Sequence, residues 1–248
     1  MTNGKSVKDG VISLLNKNKT DAVAAWDYLK KGANDMTDGV MIDGKTYPLF
    51  FWRSDPQIEA VARNAKNNIG GSVSAKISGM VERSYGIDAF LYKELDTAEW
   101  ILDSEIKKIT AYVNKNAVTV TLLMKNGKVA LLELGATLPD GAEEQTRYTA
   151  WGEQGLESTR VVSTKVRPQS VYLFSDRAEP YTFNDTTKEL YGLTLADSTA
   201  AVAVYKALIG KTDLEFNLER DKKLRFYIEK IYESDKTCES VEIQGGRR

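Results

Sequence analysis

The stretch Val118-Thr-Val-Thr-Leu-Leu-Met-Lys-Asn-Gly-Lys-Val-Ala-Leu-Leu-Glu-Leu134 reads as two β-strands around a turn. Its flanks, 118–124 and 129–134, are rich in leucine and β-branched residues, and Asn126-Gly127 is the dipeptide favoured in type I′ hairpins. Working outward, 106–113 has the same character, so an antiparallel sheet is expected to begin there. Before it, 85–102 changes to helical period, with Leu91, Leu95, Ala98 and Leu102 on one stripe widened by Trp100-Ile101. Residues 72–81 alternate with period two. Asp55-Pro56 supplies an N-cap and first helical position for a helix carrying Ile58, Val61, Ala62 and Ala65, closed by Asn67-Asn68 and Gly70-Gly71. Thr20 is predicted to cap an earlier helix bearing Ala22, Trp26, Leu29 and Ala33. Downstream, strands are expected at 145–151, 159–164, 171–174 and 180–183, and helices at 198–209 and 218–233. The pattern predicts an α+β fold: N-terminal helices with a small hairpin, followed by an open, predominantly antiparallel sheet of about six strands with helices on one face. Two domains are expected, an N-terminal helical segment 1–68 and an α+β module 69–248.

Composition excludes more chemistry than it affirms. The chain has no histidine, and no two of its 18 glycines stand two apart. Imidazole-based triads, ordinary catalytic zinc sites and the dinucleotide-binding glycine fingerprint are therefore not expected, nor is a metal. A net charge of −1 without long blocks of one sign argues against a nucleic-acid partner. Apolar runs such as 129–134 are too short to cross a bilayer, so no membrane segment is expected. One cysteine, Cys238, has no internal partner and reads as an incidental thiol, and residues 1–10 lack the apolar run of a signal peptide; a cytoplasmic protein is expected.

Three groups of residues carry potential chemistry. Gly39-Val-Met-Ile-Asp-Gly-Lys-Thr46 matches the P-loop pattern. Val-Met-Ile is strand-like, however, Asp43-Gly44 is a hairpin turn and Pro48 disturbs the required helix, so a β-hairpin is the better account. Tyr92, Asp96 and Glu99 share a helical face, with Lys93 one turn before Asp96. The segment is either a solvated helix with an i, i+3 ion pair or a cluster at a cleft, where Lys93 acts as acid/base if burial lowers its pKa towards neutral. Gln145, Arg147 and Trp151 occupy alternate positions of one strand, and either line a carbohydrate-type site or form a mixed exposed face.

Taken in order, three stretches resemble the Gfo/Idh/MocA oxidoreductase family, named for glucose-fructose oxidoreductase, inositol dehydrogenase and a rhizopine-catabolism protein. Phe51-Trp-Arg-Ser-Asp-Pro with Asn68-Ile-Gly-Gly-Ser-Val resembles the crossing from nucleotide domain to substrate domain. Lys93-Glu-Leu-Asp96-Thr-Ala-Glu-Trp-Ile-Leu, followed by Ile106-Lys-Lys-Ile-Thr-Ala, resembles the active-site helix and its following strand. Asn126-Gly-Lys-Val-Ala-Leu-Leu-Glu-Leu and Gly152-Glu-Gln-Gly155 resemble the sheet hairpin and the glycine turn beyond it. The resemblance implies an α+β substrate domain whose open sheet binds substrate and often mediates oligomerisation, preceded in the family by a Rossmann domain; 1–68 then resembles the end of that nucleotide domain. The sequence departs from the family pattern in lacking its glycine-rich start and its Glu-Lys-Pro segment, for which Lys17 or Lys19 is a remnant. Lys93 stands where the family has its catalytic histidine, while Asp96 keeps the family identity.

The first implied reading is a substrate-domain-like module that binds a carbohydrate or polyol or oligomerises through its sheet face, with no cofactor bound by this chain alone. The second is one half of a split NAD(P)-dependent sugar or polyol dehydrogenase. A Rossmann-domain partner chain would bring NAD(P) to Lys93 as proton donor or acceptor and Asp96 as its orienting group, with Tyr85, Tyr92, Arg147 and Trp151 binding substrate. A third is a structural dimerisation protein.

Overall fold

Ser6 and Asp9 satisfy each other's backbone donors in a capping box, and from that cap helix α1 (Val7–Lys17) buries Val7, Val11 and Leu15 on one stripe. The structure, a computed structural model, describes residues 6–20, 25–32, 35–159, 170–175, 181–184 and 193–243. Three short strands follow, β1 (Trp26–Leu29), β2 (Gly39–Ile42) and β3 (Lys45–Pro48), then a one-turn 3₁₀ helix (Phe51–Ser54) and α2 (Pro56–Asn67). Strand β4 (Ser72–Glu82) leads through a 3₁₀ turn (Arg83–Tyr85) into α3 (Ile87–Leu102). Strands β5 (Ile106–Asn114), β6 (Ala117–Met124), β7 (Val129–Leu138), β8 (Gln145–Gly152), β9 (Gly155–Ser158), β10 (Ser170–Ser175) and β11 (Tyr181–Asn184) come next. Helices α4 (Leu195–Leu208) and α5 (Leu214–Thr237) and the short β12 (Val241–Glu242) end the described chain.

The fold is α+β, and it divides into two compact units: Met1–Pro56 with Asp185–Lys223, and Gln57–Asn184 with Leu224–Arg248. In the first unit α1 packs on α4, where Gly10 lets Ala201 and Leu193 approach so closely that a Cβ would lie 3.0 Å from each. The core combines Val7, Val11 and Leu15 with Ala200, Val204 and Leu208, and with Val40 and Leu49 from the small sheet. Here the structure corrects the sequence reading: the described residues Trp26–Leu29 form strand β1, paired antiparallel with β2, and not a helix. Residues 21–24 and 33–34 of the expected helix lie outside the described residues. The reason is tertiary: Tyr28 donates to Asp38 Oδ2 at 2.5 Å and Lys31 N to Asp38 Oδ1 at 2.8 Å, which fixes an extended path that a weak helical pattern does not resist. The P-loop-like segment is a hairpin, β2–β3, and its turn has Asp43 at φ 50° and Gly44 at φ 79°, the two left-handed residues of a type I′ turn.

The second unit is built on a nine-stranded sheet of order β11-β10-β9-β8-β4-β7-β6-β5-β12. It is larger than the six strands expected, and mixed, because β4 and β7 are parallel while the other pairs are antiparallel. Its inner face carries Ala75, Ile77 and Val81 of β4, Val120 and Leu122 of β6, and Leu132 and Leu134 of β7, all buried, with α3 packed over them. The hairpin at Asn126-Gly127 exists, but its turn differs from type I′: only Gly127 is left-handed, at φ 83°, with Gly127 N bonded to Met124 O and Met124 N to Lys128 O. The side chain of Asn126 donates to Leu102 O at 3.3 Å, and that bond holds the wider loop against the end of α3. The expected strand 159–164 lies outside the described residues beyond Thr159; β9 is found just before it.

The free edge of β5 is covered. Ala111 N donates to Ser234 Oγ at 3.0 Å and Val113 N to Asp235 Oδ1 at 2.7 Å, while β12 pairs with Lys108 and Ile109. Side chains from the end of α5 thus replace the next strand, which removes a template for edge-to-edge association.

A buried carboxylate marks the packing of α2 on the sheet. Glu157 of β9 is 0% exposed and accepts from Asn64 Nδ2 at 2.8 Å, and burial pushes its pKa up to about 8 against the smaller opposing effects of Asn64 and Arg63. The folded chain therefore holds this proton more tightly than the unfolded chain. Stability from this group is complete below about pH 4.5 and is lost as the pH rises through about 8. Glu157→Gln is expected to flatten that dependence, melting roughly 4–8 °C above the parent at pH 8.5 and close to it at pH 4.5 in calorimetric scans. Equal shifts at both pH values would show that Glu157 does not titrate in this range.

Candidate functional site

Helix α3 carries the site, and its burial is nearly complete: Phe90, Leu91, Tyr92, Leu95, Asp96 and Ala98 are 0% exposed, and Lys93, Glu94, Thr97 and Glu99 are buried as well. The solvated-helix alternative therefore does not hold. A helix with this many ionisable residues is buried only if its charges are satisfied. Thr97 Oγ1 donates to Lys93 O at 2.9 Å, and Glu99 Oε1 accepts from Ile106 N at 2.6 Å and from Tyr227 OH at 2.9 Å.

Lys93 and Glu94 form the chemically active part. Lys93 Nζ lies 2.5 Å from Glu144 Oε1 and 3.5 Å from Glu94 Oε1. Glu94 Oε1 also accepts from Tyr148 OH at 3.0 Å, and Thr146 Oγ1 donates to Glu144 Oε1 at 2.6 Å. Glu94 Oε2 is buried and accepts no hydrogen bond among the described residues. Exposure falls along the row, with side chains 34% exposed at Glu144, 8% at Lys93 and 0% at Glu94. Tyr148 reaches Glu94 because even-numbered residues of β8 face α3. Gly79 beneath the site permits the close fit, since a Cβ there would meet Thr146 Oγ1 at 2.7 Å and Phe90 Cζ at 2.8 Å.

Electrostatics separate the two groups. Burial alone would lower the Lys93 pKa, but the carboxylates of Glu144 and Glu94 outweigh it, so Lys93 is held well above its ordinary value and stays an ammonium. The condition set by sequence for Lys93 as a neutral base, a pKa brought down by burial, is not met. Burial raises Glu94 to about 7, against the opposing charge of Lys93 and the Tyr148 hydrogen bond.

The residues singled out from sequence fall into two places. Lys93, Tyr92 and Asp96 lie on α3, Tyr92 and Asp96 fully buried, and Tyr85 sits half-buried in the preceding turn, edge-on to Phe90 at 6.5 Å. Arg147 and Trp151 face the opposite side of the sheet. Arg147 Nε donates to Ser158 Oγ at 3.3 Å, and Trp151 is 40% exposed on the face that also bears Met80 and Tyr112. An open groove of about 530 Å³ on that outer face is lined by Met80, Tyr112, Thr119, Glu133 and Gly135. The sheet thus separates Arg147 and Trp151 from Lys93, and they do not line one site with it. Sequence reasoning missed Glu94, Glu144 and Tyr148. Only the odd–even alternation of 145–151 pointed to Tyr148, as the residue opposite to Arg147.

Gly39–Thr46, the segment that matches a phosphate-binding pattern, forms a tight hairpin in which Lys45-Thr46 begin strand β3 and not a helix, so those residues do not fit a nucleotide pyrophosphate. No helix of the described residues is long and apolar enough to cross a membrane, and no group of three or more acidic or cysteine side chains among them is arranged to hold a metal.

No family model matches the sequence, and no curated protein matches it. Solved structures do match the fold. Levoglucosan dehydrogenase, in a complex with NADH and levoglucosan, superposes with a TM-score of 0.62 at 12% identity over 79% of this chain and 65% of its own. A myo-inositol dehydrogenase from Corynebacterium glutamicum gives 0.57 at 19% identity over 79% of this chain and 64% of its own. An oxidoreductase domain protein from Kribbella flavida gives 0.61 at 12% identity, over 79% and 65%. The chain thus shares the fold of Gfo/Idh/MocA-type oxidoreductases and spans a little under two thirds of these relatives.

Proposed function

We propose that this chain is an oxidoreductase-like module that binds a neutral polyol or sugar beside Lys93, without a nucleotide site of its own. The observation that carries the reading is the buried row Glu144–Lys93–Glu94–Tyr148 on a helix laid against an open sheet. Such a row is costly to bury and contributes little that an apolar core would not. In this reading Lys93, as a fixed ammonium, donates to a ligand hydroxyl alongside its ion pair with Glu144, Glu144 accepts from the same or a neighbouring hydroxyl, and the half-buried Tyr85 borders the sugar. Tyr92 and Asp96 support the helix from behind. A net neutral pair of this kind matches hydroxyl groups better than a carboxylate or phosphate, because Glu144 already neutralises the cation. Any nicotinamide would come from outside the described residues, on this or a partner chain.

The test is a titration with myo-inositol and with levoglucosan, followed by amide chemical shifts. Binding on the order of 1 mM is expected for at least one of them, with shifts centred on 85–94 and 144–148 and lost in Lys93→Met. Shifts confined to the outer sheet face, or none with either compound, would rule the reading out.

A further inference from the structure

We infer that residues 139–144 form a strap across the mouth of the site, latched by Glu82 and Asp140, and that its opening admits ligand to Lys93. The inference deepens the reading of Lys93 as the group that meets the ligand, and rests on it. Its first basis is topological. Strands β4 and β7 are parallel neighbours, β8 lies on the other side of β4, and Glu82 pairs with Leu138 where β4 and β7 both end. The connection from β7 to β8 must therefore pass over the end of β4, where the chain turns through Arg83–Tyr85 into α3. Residues 139–144 cross two strand spacings, about 10 Å, in doing so. Glu144, the last of them, arrives on Lys93.

What holds the strap is polar. None of residues 139–144 is buried, so no apolar anchor fixes it. Gly141 N donates to Glu82 Oε2 at 2.6 Å and Ser84 N to Asp140 Oδ1 at 3.2 Å, one bond in each direction between the strap and the turn. Glu144 adds its contacts to Lys93 and Thr146. A segment held by a few solvent-exposed bonds lies at the low end of local stability and opens as a unit. Opening is also required. The Lys93 side chain is 8% exposed and Glu144 lies on it, so a ligand hydroxyl reaches the ammonium only when the strap lifts. When the strap closes again, Glu144 meets the bound hydroxyl. Gly141, at φ 83° with open space about it, supplies a left-handed bend that other residues adopt only at a cost. Glu82 and Asp140 are positioning residues in this scheme, since they hold the strap to the turn and do not touch the ligand.

The experiment needs no ligand. Amide hydrogen exchange is followed in the full chain, together with the rate at which formaldehyde and cyanoborohydride methylate Lys93, with the exposed Lys66 as reference. Glu82→Ala cuts only the Gly141 bond, yet the amides of Gly141 and Ser84 should both exchange about five to ten times faster. Lys93 should be methylated about five times faster relative to Lys66. Asp140→Ala should do the same from the other end. Glu82→Gln, which keeps an acceptor oxygen, should stay within about twofold of the parent. Amides of β6 should be unchanged in each variant; should Glu82→Ala loosen them too, Asp140→Ala, on the exposed strap, carries the test. An alanine variant that frees only its own amide, or Lys93 methylation unmoved by both alanine variants, overturns the strap even if myo-inositol binds. Coupled opening in a chain that binds neither myo-inositol nor levoglucosan supports the strap over Lys93 and overturns only the proposed ligand.

Discussion

Lys93→Met is expected to lower the melting temperature by roughly 6–12 °C at pH 8, and by less than half of that at pH 5. Removing one member of a buried ion cluster leaves the others uncompensated, a change that costs about 3–5 kcal/mol where such pairs have been broken, and a chain of this size shifts by about 2–4 °C per kcal/mol. The pH dependence follows from what remains. Lys93 is the group that stabilises the Glu94 carboxylate, so at pH 8 the variant must either keep that buried charge facing Glu144 without a counter-ion or take up a proton that the parent does not need. At pH 5 Glu94, already raised to about 7 in the parent, is protonated, and the repulsion is gone. A deficit of the same size at both pH values would mean that the methionine is merely misfitted, and that the carboxylates carry none of the effect. Differential scanning calorimetry on parent and variant at the two pH values decides this.

Gly152→Ala should be at least as damaging for a purely steric reason. A Cβ at this position of β8 would lie 2.0 Å from Ile69 O and 2.6 Å from Gly71 O, backbone atoms with no rotamer to yield. The loop that joins α2 to β4 must therefore move, although Ile69 O also accepts from Gln154 N at 3.1 Å. A loss of about 3–4 kcal/mol, at the upper end of over-packing costs, corresponds to roughly 8–12 °C. Unlike the Lys93 effect it should be independent of pH. A melting temperature within about 2 °C of the parent would show that the two segments are not packed as described.

What could be read from the chain alone depended on how local the cause was. Pro56 opens α2 as expected because its fixed φ suits the first helical position, a cause set by the residue itself, and the hairpin around Asn126-Gly127 forms between the expected strands, though not with a type I′ turn. The Ser6 to Asp9 spacing is an equally local signal for α1, set beside a charged, weakly apolar segment that masks it. Trp26–Leu29 failed in the other direction, because the helical spacing of Trp26 and Leu29 was real but Asp38 and the β2 pairing override it from a distance. The sheet was underestimated for a similar reason, since its central strand β4 pairs in parallel with β7 across an intervening helix and hairpin.

The site was half legible. Lys93 and Asp96 stood out by spacing on α3, while Tyr85 entered only through the reading that the family resemblance implies. Glu144 and Tyr148 are more than fifty residues away from Lys93 in the chain, and nothing near them marks the contact. Glu94 carries no signal of its own in the sequence, because on an exposed helix a neighbouring Lys and Glu mean nothing. Only burial makes the pair chemically distinct. The same blindness placed Arg147 and Trp151 with Lys93, because strand alternation tells which residues share a face but not which face meets the helix.

The most direct measurement is a crystal structure of the chain soaked with levoglucosan and NADH together. The account predicts density for the sugar between Tyr85, Lys93 and Glu144, with no nucleotide against Gly39–Thr46. Ordered NADH held by this chain alone, or a sugar seated only on the outer face beside Trp151, would contradict it.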